Sequence, residues 1–502
     1  MAEAEKEQGT VVETQEKASE IPAGESLLDK IIKQGKMARD TSQTAYAKDL
    51  IAEFVNQVLD QGMVVKADTV ASIQQRIAQI DELLSKQVNA VMHAEEFQNI
   101  EAAWRGLDFL VKNTETSTSL KLRVLNVSKK DLQKDLEKAV EFDQSALFKK
   151  IYEAEYGVFG GTPYSLLIGD YEFGRHPQDI ALLEKISGVA AAASAPFISA
   201  ANPDLFDMDS FTQLSDPRDL SKIFESKEAG MIKWRSFRDS EDSRYVALTL
   251  PHILMRLPYG AKTKPVDGFN FEEDVTGKDH KKYLWGNAAY ALAQRIADAF
   301  AKYNWCAAIR GVEGGGLVEG LPTHTFSTDE GDVALKCPTE IAITDRREKE
   351  LSDLGFMSLV HCKGTDYAAF FSGQTTQKPK IYNTDEANAN ARISTVLPYI
   401  MACSRVAHYM KVIMRDKIGS FATAGNVESF LNNWIQQYVL GRDDADQELK
   451  SKHPLREARI DVSEIPGKPG AYRAVAFLRP HFQLEELTAS IRLVADLPPP
   501  AK

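Results

Sequence analysis

The residues best suited to chemistry in this 502-residue chain are one glycine cluster, nine histidines and four cysteines. The cluster, "RGVEGGGLVEGLP" at Arg310–Pro322, is the one stretch whose glycines could cradle a phosphate. A phosphate loop ends in Gly-Lys-Ser/Thr, because the lysine and the hydroxyl meet phosphate and magnesium. Here Leu317, Val318 and Glu319 follow the glycines, and Glu313 and Glu319 would repel an anion. The Gly-x-Gly-x-x-Gly spacing counted from Gly314 also fails, since its last position is Glu319. A structural turn is the expectation. The histidines form no His-Glu-x-x-His pair. His361 and Cys362 are adjacent, so a strand would point them to opposite faces. Cys306, Cys337, Cys362 and Cys403 lie far apart, which suggests neither a disulfide framework nor a zinc ribbon. No Gly-x-Ser-x-Gly elbow is present. The carboxylate pairs Glu272-Glu273 and Asp443-Asp444 sit in polar loops and read as solvated surface. These residues predict no reaction, no metal and no cofactor.

The stretch "RISTVLPYIMACSRVAHYMKVIMRDKIGSF", Arg392–Phe421, holds one Cys, one His and several Met in an apolar setting. Cys403 and His408 are five residues apart, roughly 140° from sharing a helix face, a poor ligand pair. Arg405 and Lys411 make a membrane span expensive. Pro398 is expected to kink this helix or to mark its true start. A helix apolar nearly all round belongs in a thick core or between subunits.

What must position such residues is a large soluble body. The chain is too long for one ordinary core. Lys and Arg number 60 and Asp and Glu 72, a net charge of −12. That sign disfavours nucleic-acid or anionic-membrane binding, which needs a basic surface. The N-terminal segment is acidic and lacks a signal-peptide core. "ISGVAAAASAPFISAA", Ile186–Ala201, is too short and too broken by Pro196 to span a bilayer, which needs about 20 apolar residues. A cytoplasmic location is expected.

Residues 1–25 read as a polar arm with weak strand character at Val11 and Val12. Amphipathic helices are expected at Ser26–Ile32 and Thr44–Leu59. From Asp68 onward, Val70, Ile73, Ile77, Ile80, Leu84 and Val91 recur at steps of three and four, a coiled-coil-like seam. It packs either on its own domain or on a partner helix. The helix is expected to run on toward Glu95–Val111, where Phe97, Ile100, Trp104, Leu107 and Leu110 continue an apolar face and Gly106 permits close packing. Strands are expected at "SLKLRVLNVS", "YSLLIGDYEF", "APFISAA" and "RYVALTLPHIL", with helices between them, an α/β (mixed α+β) pattern. Pro258–Asp274 reads as a polar linker. "TDRREKELSDLGFMSL" at Thr344–Leu359 reads as a solvated, ion-paired helix face or a charged interface. "YRAVAFLR" and "LTASIRLVADL" are the clearest late strands, and a terminal strand easily becomes a sheet edge that must be paired or covered. The expected division is 1–65, an arm with partner-binding helices; 66–300, an α/β domain; and 301–502, a C-terminal core domain.

Several blocks, in order, resemble one family. They are "EEFQNIEAAWRGLDFLV", "DPRDLSKIFES", "KWRSFRDSEDSRYVALTLPHILMRLPYG", "GGGLVEGLPTH", "PTEIAITDRREKELSDLGFMSL" and, most specific, "ARISTVLPYIMACSRVAHYMKVIMRDKIGSF". Together they resemble the large sheath subunit of type VI secretion systems, the TssC (VipB, EvpB) family, over nearly all of the chain beyond the arm. The resemblance implies a contractile-sheath fold with an extended arm, and a structural subunit rather than an enzyme. It implies pairing with a small sheath protein (TssB, VipA-like) and helical polymerisation around an inner tube on a baseplate. Contraction then drives the tube outward, and a ring AAA+ ATPase disassembles the sheath. It also implies a β-sheet shared between neighbouring subunits. Val11, Val12, Val475, Phe477, Ile491 and Leu493 are the candidate residues for that sheet, and Ile73, Ile77, Ile80 and Leu84 for a partner helix. The alternatives are a phage-tail-like sheath outside secretion, a helix-binding adaptor that does not polymerise, and an α/β enzyme using the 310–322 loop.

Overall fold

The computed structural model describes residues 43–60, 69–277, 279–327, 333–420, 423–442, 444–467, 470–481 and 483. Val11, Val12, Ile491, Leu493 and the expected helix Ser26–Ile32 lie outside them. The chain forms two compact units, Met1–Glu82 and Leu83–Lys502.

The first unit contains α1, Thr44–Asp60, close to the extent its apolar spacing predicts. Helix α2, Thr69–Met92, begins in it and carries the seam. The expected run-on does not occur. Ala94 adopts an extended backbone, and a separate helix, α3, starts at Glu95 and ends at Lys112. Glu95 and Glu96 in its first turn suit the positive end of the helix dipole. Ala102, Gly106 and Leu110 face inward. A Cβ at Gly106 would lie 2.3 Å from the ring of Tyr290, so only glycine permits this approach.

A six-stranded sheet organises the second unit. It contains β1 (Leu167–Phe173), β2 (Phe197–Ala201), β3 (Val246–Leu250), β6 (Leu317–Val318), β9 (Phe356–His361) and β10 (Ala368–Phe370), ordered β1-β2-β3-β9-β10-β6, while β4 (Ile253–Leu254) pairs with β5 (Trp285–Gly286) and β7 (His324–Ser327) with β8 (Val333–Lys336) apart from it. The first four pair in parallel, and β10 and β6 add antiparallel. Strands on both sides of residue 300 thus share one sheet. β2 and β3 are buried throughout, because helices cover both faces, and so they read as continuous apolar runs. On one face Phe197, Leu248 and Phe356 join a core with helices α4 (Lys129–Lys138), α5 (Pro177–Ala193) and α6 (Ala229–Asp239). Trp234 stacks on Phe356 there at 5.7 Å between ring centres. On the other face Ile198, Ala247 and Met357 meet α7 (Ala289–Tyr303). The Ala-rich stretch at 186–201 is the end of α5 followed by β2, both interior. Among the described residues no helix is long and apolar enough to cross a membrane.

Three expectations fail locally. "SLKLRVLNVS" is not a strand, since residues 120–127 join no ladder. The charged helix, α8 (Asp345–Asp353), is not merely solvated. Arg347 donates to the carbonyls of Leu214, Asp216 and Arg218 at 3.1, 2.7 and 2.8 Å, closing a loop distant in sequence. Residues 258–274 are no polar linker: Phe271 and Glu273 are buried.

The apolar stretch at 392–421 divides in two. Helix α9, Asp385–Ile393, ends before Ser394, and α10, Leu397–Asp416, begins with Pro398 in its first turn. Proline marks the true start because its missing N–H is one that a first turn leaves unpaired anyway. Leu397 and Met401 belong to the core under the sheet, whereas Val406 and Met410 belong to a third core. That core is built by α11 (Ala424–Ile435) and a hairpin of β11 (Leu455–Glu464) and β12 (Tyr472–Pro480). Helix α10 therefore links the sheet to the hairpin.

Candidate assembly surfaces

The glycine cluster is a packed turn. The N–H of Gly311 donates to Phe370 O and that of Gly316 to Gly311 O, at 2.7 and 2.8 Å, feeding the chain into β6. Gly315 has φ +88°, and a Cβ there would lie 2.4 Å from Ala308 O. The glycines answer backbone geometry, as the lack of a Gly-Lys-Ser/Thr ending implied. The structure does bring His361 to Cys337. Burial opposes the change on both, but their mutual hydrogen bond raises the imidazole and lowers the thiol. His408 and Cys403 do not meet; His408 Nε2 donates to Ala193 O at 2.8 Å, fixing α10 on α5. Among the described residues no group of three or more His, Cys, Asp or Glu is placed to hold a metal ion.

Two buried ion networks brace the body. His252 lies between two carboxylates, Nε2 2.8 Å from Glu172 Oε1 and Nδ1 2.5 Å from Glu340 Oε2. Glu340 also accepts from Ser210, from the Phe211 N–H and from His280. Burial alone would strip the proton from His252, but the two carboxylates outweigh it and lift the imidazole to about 10. Burial likewise opposes charge on Glu340, yet His252 and His280 hold it well below the usual range. Both ring nitrogens of His252 thus donate, and the imidazolium ties the end of β1 to the loops after β3 and before α8. In the second network Arg256 donates to Glu101 of α3 at 2.8 Å and to Glu273 at 2.6 Å, and Arg105 donates to Glu101 at 2.8 Å. Glu273, expected on the surface, is the buried anchor that fixes α3 to the 256–273 loop. The partners of its carboxylate lie 14 residues and more away, so nothing local signals its burial.

Part of what remains uncovered is apolar. Ile73, Ile80 and Leu84 of α2 are each 41% exposed and Ile77 is 52% exposed. On α3 the face read as continuous splits: Leu110 turns inward while Phe97, Ile100 and Trp104 stay exposed. A groove of about 650 Å³ beside them is lined by Val88, Val91, Phe97, Phe269 and Phe271. Sequence reasoning missed its last two residues, which lie in the stretch taken for a linker. On the hairpin, burial alternates along β12, and Val475 and Phe477 lie on the exposed side. Arg459 lies over the Phe477 ring at 4.9 Å. The outer edge of β12 pairs with no strand among the described residues. These surfaces offer helix faces and strand edges, which are docking features.

The comparisons with known proteins agree with that character. Residues 74–377 match the EvpB/VC_A0108 tail sheath N-terminal domain, and residues 386–497 match the EvpB/VC_A0108 tail sheath gpW/gp25-like domain. The chain is 50% identical over 489 residues to the type VI secretion system sheath protein TssC1 of Pseudomonas aeruginosa, spanning 97% of this chain and 96% of that protein. Among solved structures it aligns with a chain of the anti-feeding prophage baseplate at TM-score 0.35 and 10% identity, covering 63% of this chain and 66% of that one. It aligns with the contracted sheath complex of an extracellular contractile injection system at TM-score 0.34 and 8% identity, covering 62% and 68%. Those two overlaps are partial, and the assignment rests on the sequence matches. The chain belongs to the EvpB/VipB family of tail sheath proteins, structural subunits of the type VI secretion contractile sheath.

Proposed function

We propose that this chain pairs in the cytoplasm with a small sheath protein, and that the pairs polymerise helically around an inner tube on a baseplate. Contraction of the lattice propels the tube, and a ring ATPase recovers the subunits. The observation that carries this reading is the row Ile73, Ile77, Ile80 and Leu84, apolar residues at seam spacing left exposed on one helix. Each is about half exposed, so a partner helix that covers them gains about 0.7–1.5 kcal/mol per side chain, half of what burying a fully exposed one yields. The open edge of β12 suits a strand from a neighbouring subunit, with Val475 and Phe477 against it and the segments around Val11–Val12 and Ile491–Leu493 as donors. Strand pairing through extended arms lets subunits rotate while the lattice stays connected. The organisation that follows is an arm over 1–65, then a sheath body whose sheet takes strands from both sides of residue 300, with the hairpin of β11 and β12 in its C-terminal part. Co-expression with the small sheath protein and affinity capture tests the pairing. The expected result is stoichiometric co-purification into a rapidly sedimenting species; a chain that purifies alone, indifferent to that protein, overturns the reading.

A further inference from the structure

β1 is an end strand. Its inner neighbour is β2, and its outer edge pairs with no strand among the described residues. The backbone N–H groups of residues 121–127 donate to no backbone carbonyl among them either. That segment has the apolar content of a strand without a ladder, and Val124 and Leu125 are exposed. The two unpaired edges line one cavity of about 780 Å³, with Leu122 from the segment and Leu167 from β1. Ile186 and Val189 of α5 wall it on the side of one core, and Ala293 and Ile296 of α7 on the side of the other. The cavity therefore crosses the plane of the sheet between its two helical layers. Its far side is held in place: Tyr171 of β1 donates its hydroxyl to Val127 O at 2.8 Å, and Arg123 donates to Thr162 Oγ1 at 2.8 Å and pairs with Glu155. At Val127 a whole tyrosine side chain and one hydrogen bond bridge the distance that a ladder would close directly. Inserting one strand requires about 10 Å between its neighbours, twice the interstrand spacing.

We propose that this gap seats one β-strand of the small sheath partner, paired with β1 on one side and with residues 121–127 on the other. The inference rests on the pairing reading above and names where part of that pairing occurs. The occupant's chemistry follows from the walls. Both are apolar, so the strand is apolar on both faces, Val/Ile-rich, and about five to six residues long. This chain's own late segment fits worse, because Thr488, Ser490, Arg492 and Asp496 share one face of it and would meet an apolar wall. A strand bound in this way satisfies backbone groups on both sides at once, which a helix or loop in the same space would not.

Hydrogen exchange of the full-length chain co-expressed with the small sheath protein tests this. Peptides spanning 121–127, and the outward amide of Ile168, are expected to exchange at least about a hundredfold more slowly than unstructured chain. A pair that forms while these amides exchange freely overturns the proposal and leaves the functional reading standing; no pair at all overturns both. Deleting residues 484–502 is expected to leave the protection intact, and its loss in a pair that still forms would give the gap to the chain's own tail and overturn the proposal. Ala297→Phe, which fills the gap from α7, is expected to weaken the pair about tenfold or more, with exchange in β2 and β3 unchanged. Unaltered affinity in that variant also overturns the proposal.

Discussion

Replacing His252 by glutamine removes the cation that two buried carboxylates share. The imidazole has moved from 6.5 to about 10, which corresponds to roughly 5 kcal/mol of preference for the charged form. The same two ion pairs also depress Glu172 and Glu340, so this figure belongs to three groups together. Removing one partner of a buried pair costs about 3–5 kcal/mol, and that is the loss expected for His252→Gln. The dependence on pH has a definite sign. The folded value lies above the unfolded one, so the stabilisation is complete below 6.5 and is lost as pH rises towards about 10. Urea unfolding of the wild-type and variant pairs, at one protein concentration, is the assay. The gap between their midpoints should be widest near the lower limit and shrink steadily towards the upper. Midpoints that shift in parallel across this range would refute an imidazolium at this position, and an unchanged midpoint throughout would refute the clamp itself.

Four further outcomes follow from the surfaces and the turn. Ile77→Ser with Leu84→Ser should weaken capture of the small sheath protein by at least about tenfold, with exchange in the sheet strands unchanged. Phe477→Ser should leave the pair intact and abolish tube growth, seen as a captured pair that no longer sediments. Ile491→Pro should do the same by blocking a ladder bond, again with the pair preserved. Gly315→Ala should lower the thermal midpoint, because φ +88° and the nearby Ala308 O exclude a side chain, while a panel of nucleotides leaves the wild-type midpoint where it is.

How much could be read from the sequence depended on how local each signal was. The buried strands β2 and β3 were legible because cover on both faces makes them continuous apolar runs. Pro398 offered two outcomes, and the structure took the one in which proline begins the helix. The fit of Gly106 against Tyr290 was legible only as an oddity, a glycine in a helical face. The break between α2 and α3 was not legible, since His93 and Ala94 carry no turn chemistry. The status of residues 120–127 was not legible either: whether an apolar, alternating stretch joins a ladder depends on a partner edge that local pattern does not encode. Glu273 was misread for the same reason, its neutralising arginine being held by a helix more than 150 residues away. Val475 and Phe477 lie on an exposed strand face, a placement the sequence offered only as a strand, and α2 leaves its seam residues uncovered.

Electron microscopy of the full-length chain co-expressed with the small sheath protein tests the central claim most directly. Hollow helical tubes of uniform diameter, containing both proteins in equal number, are the predicted result. Discrete soluble pairs or monomers that form no tube would contradict it.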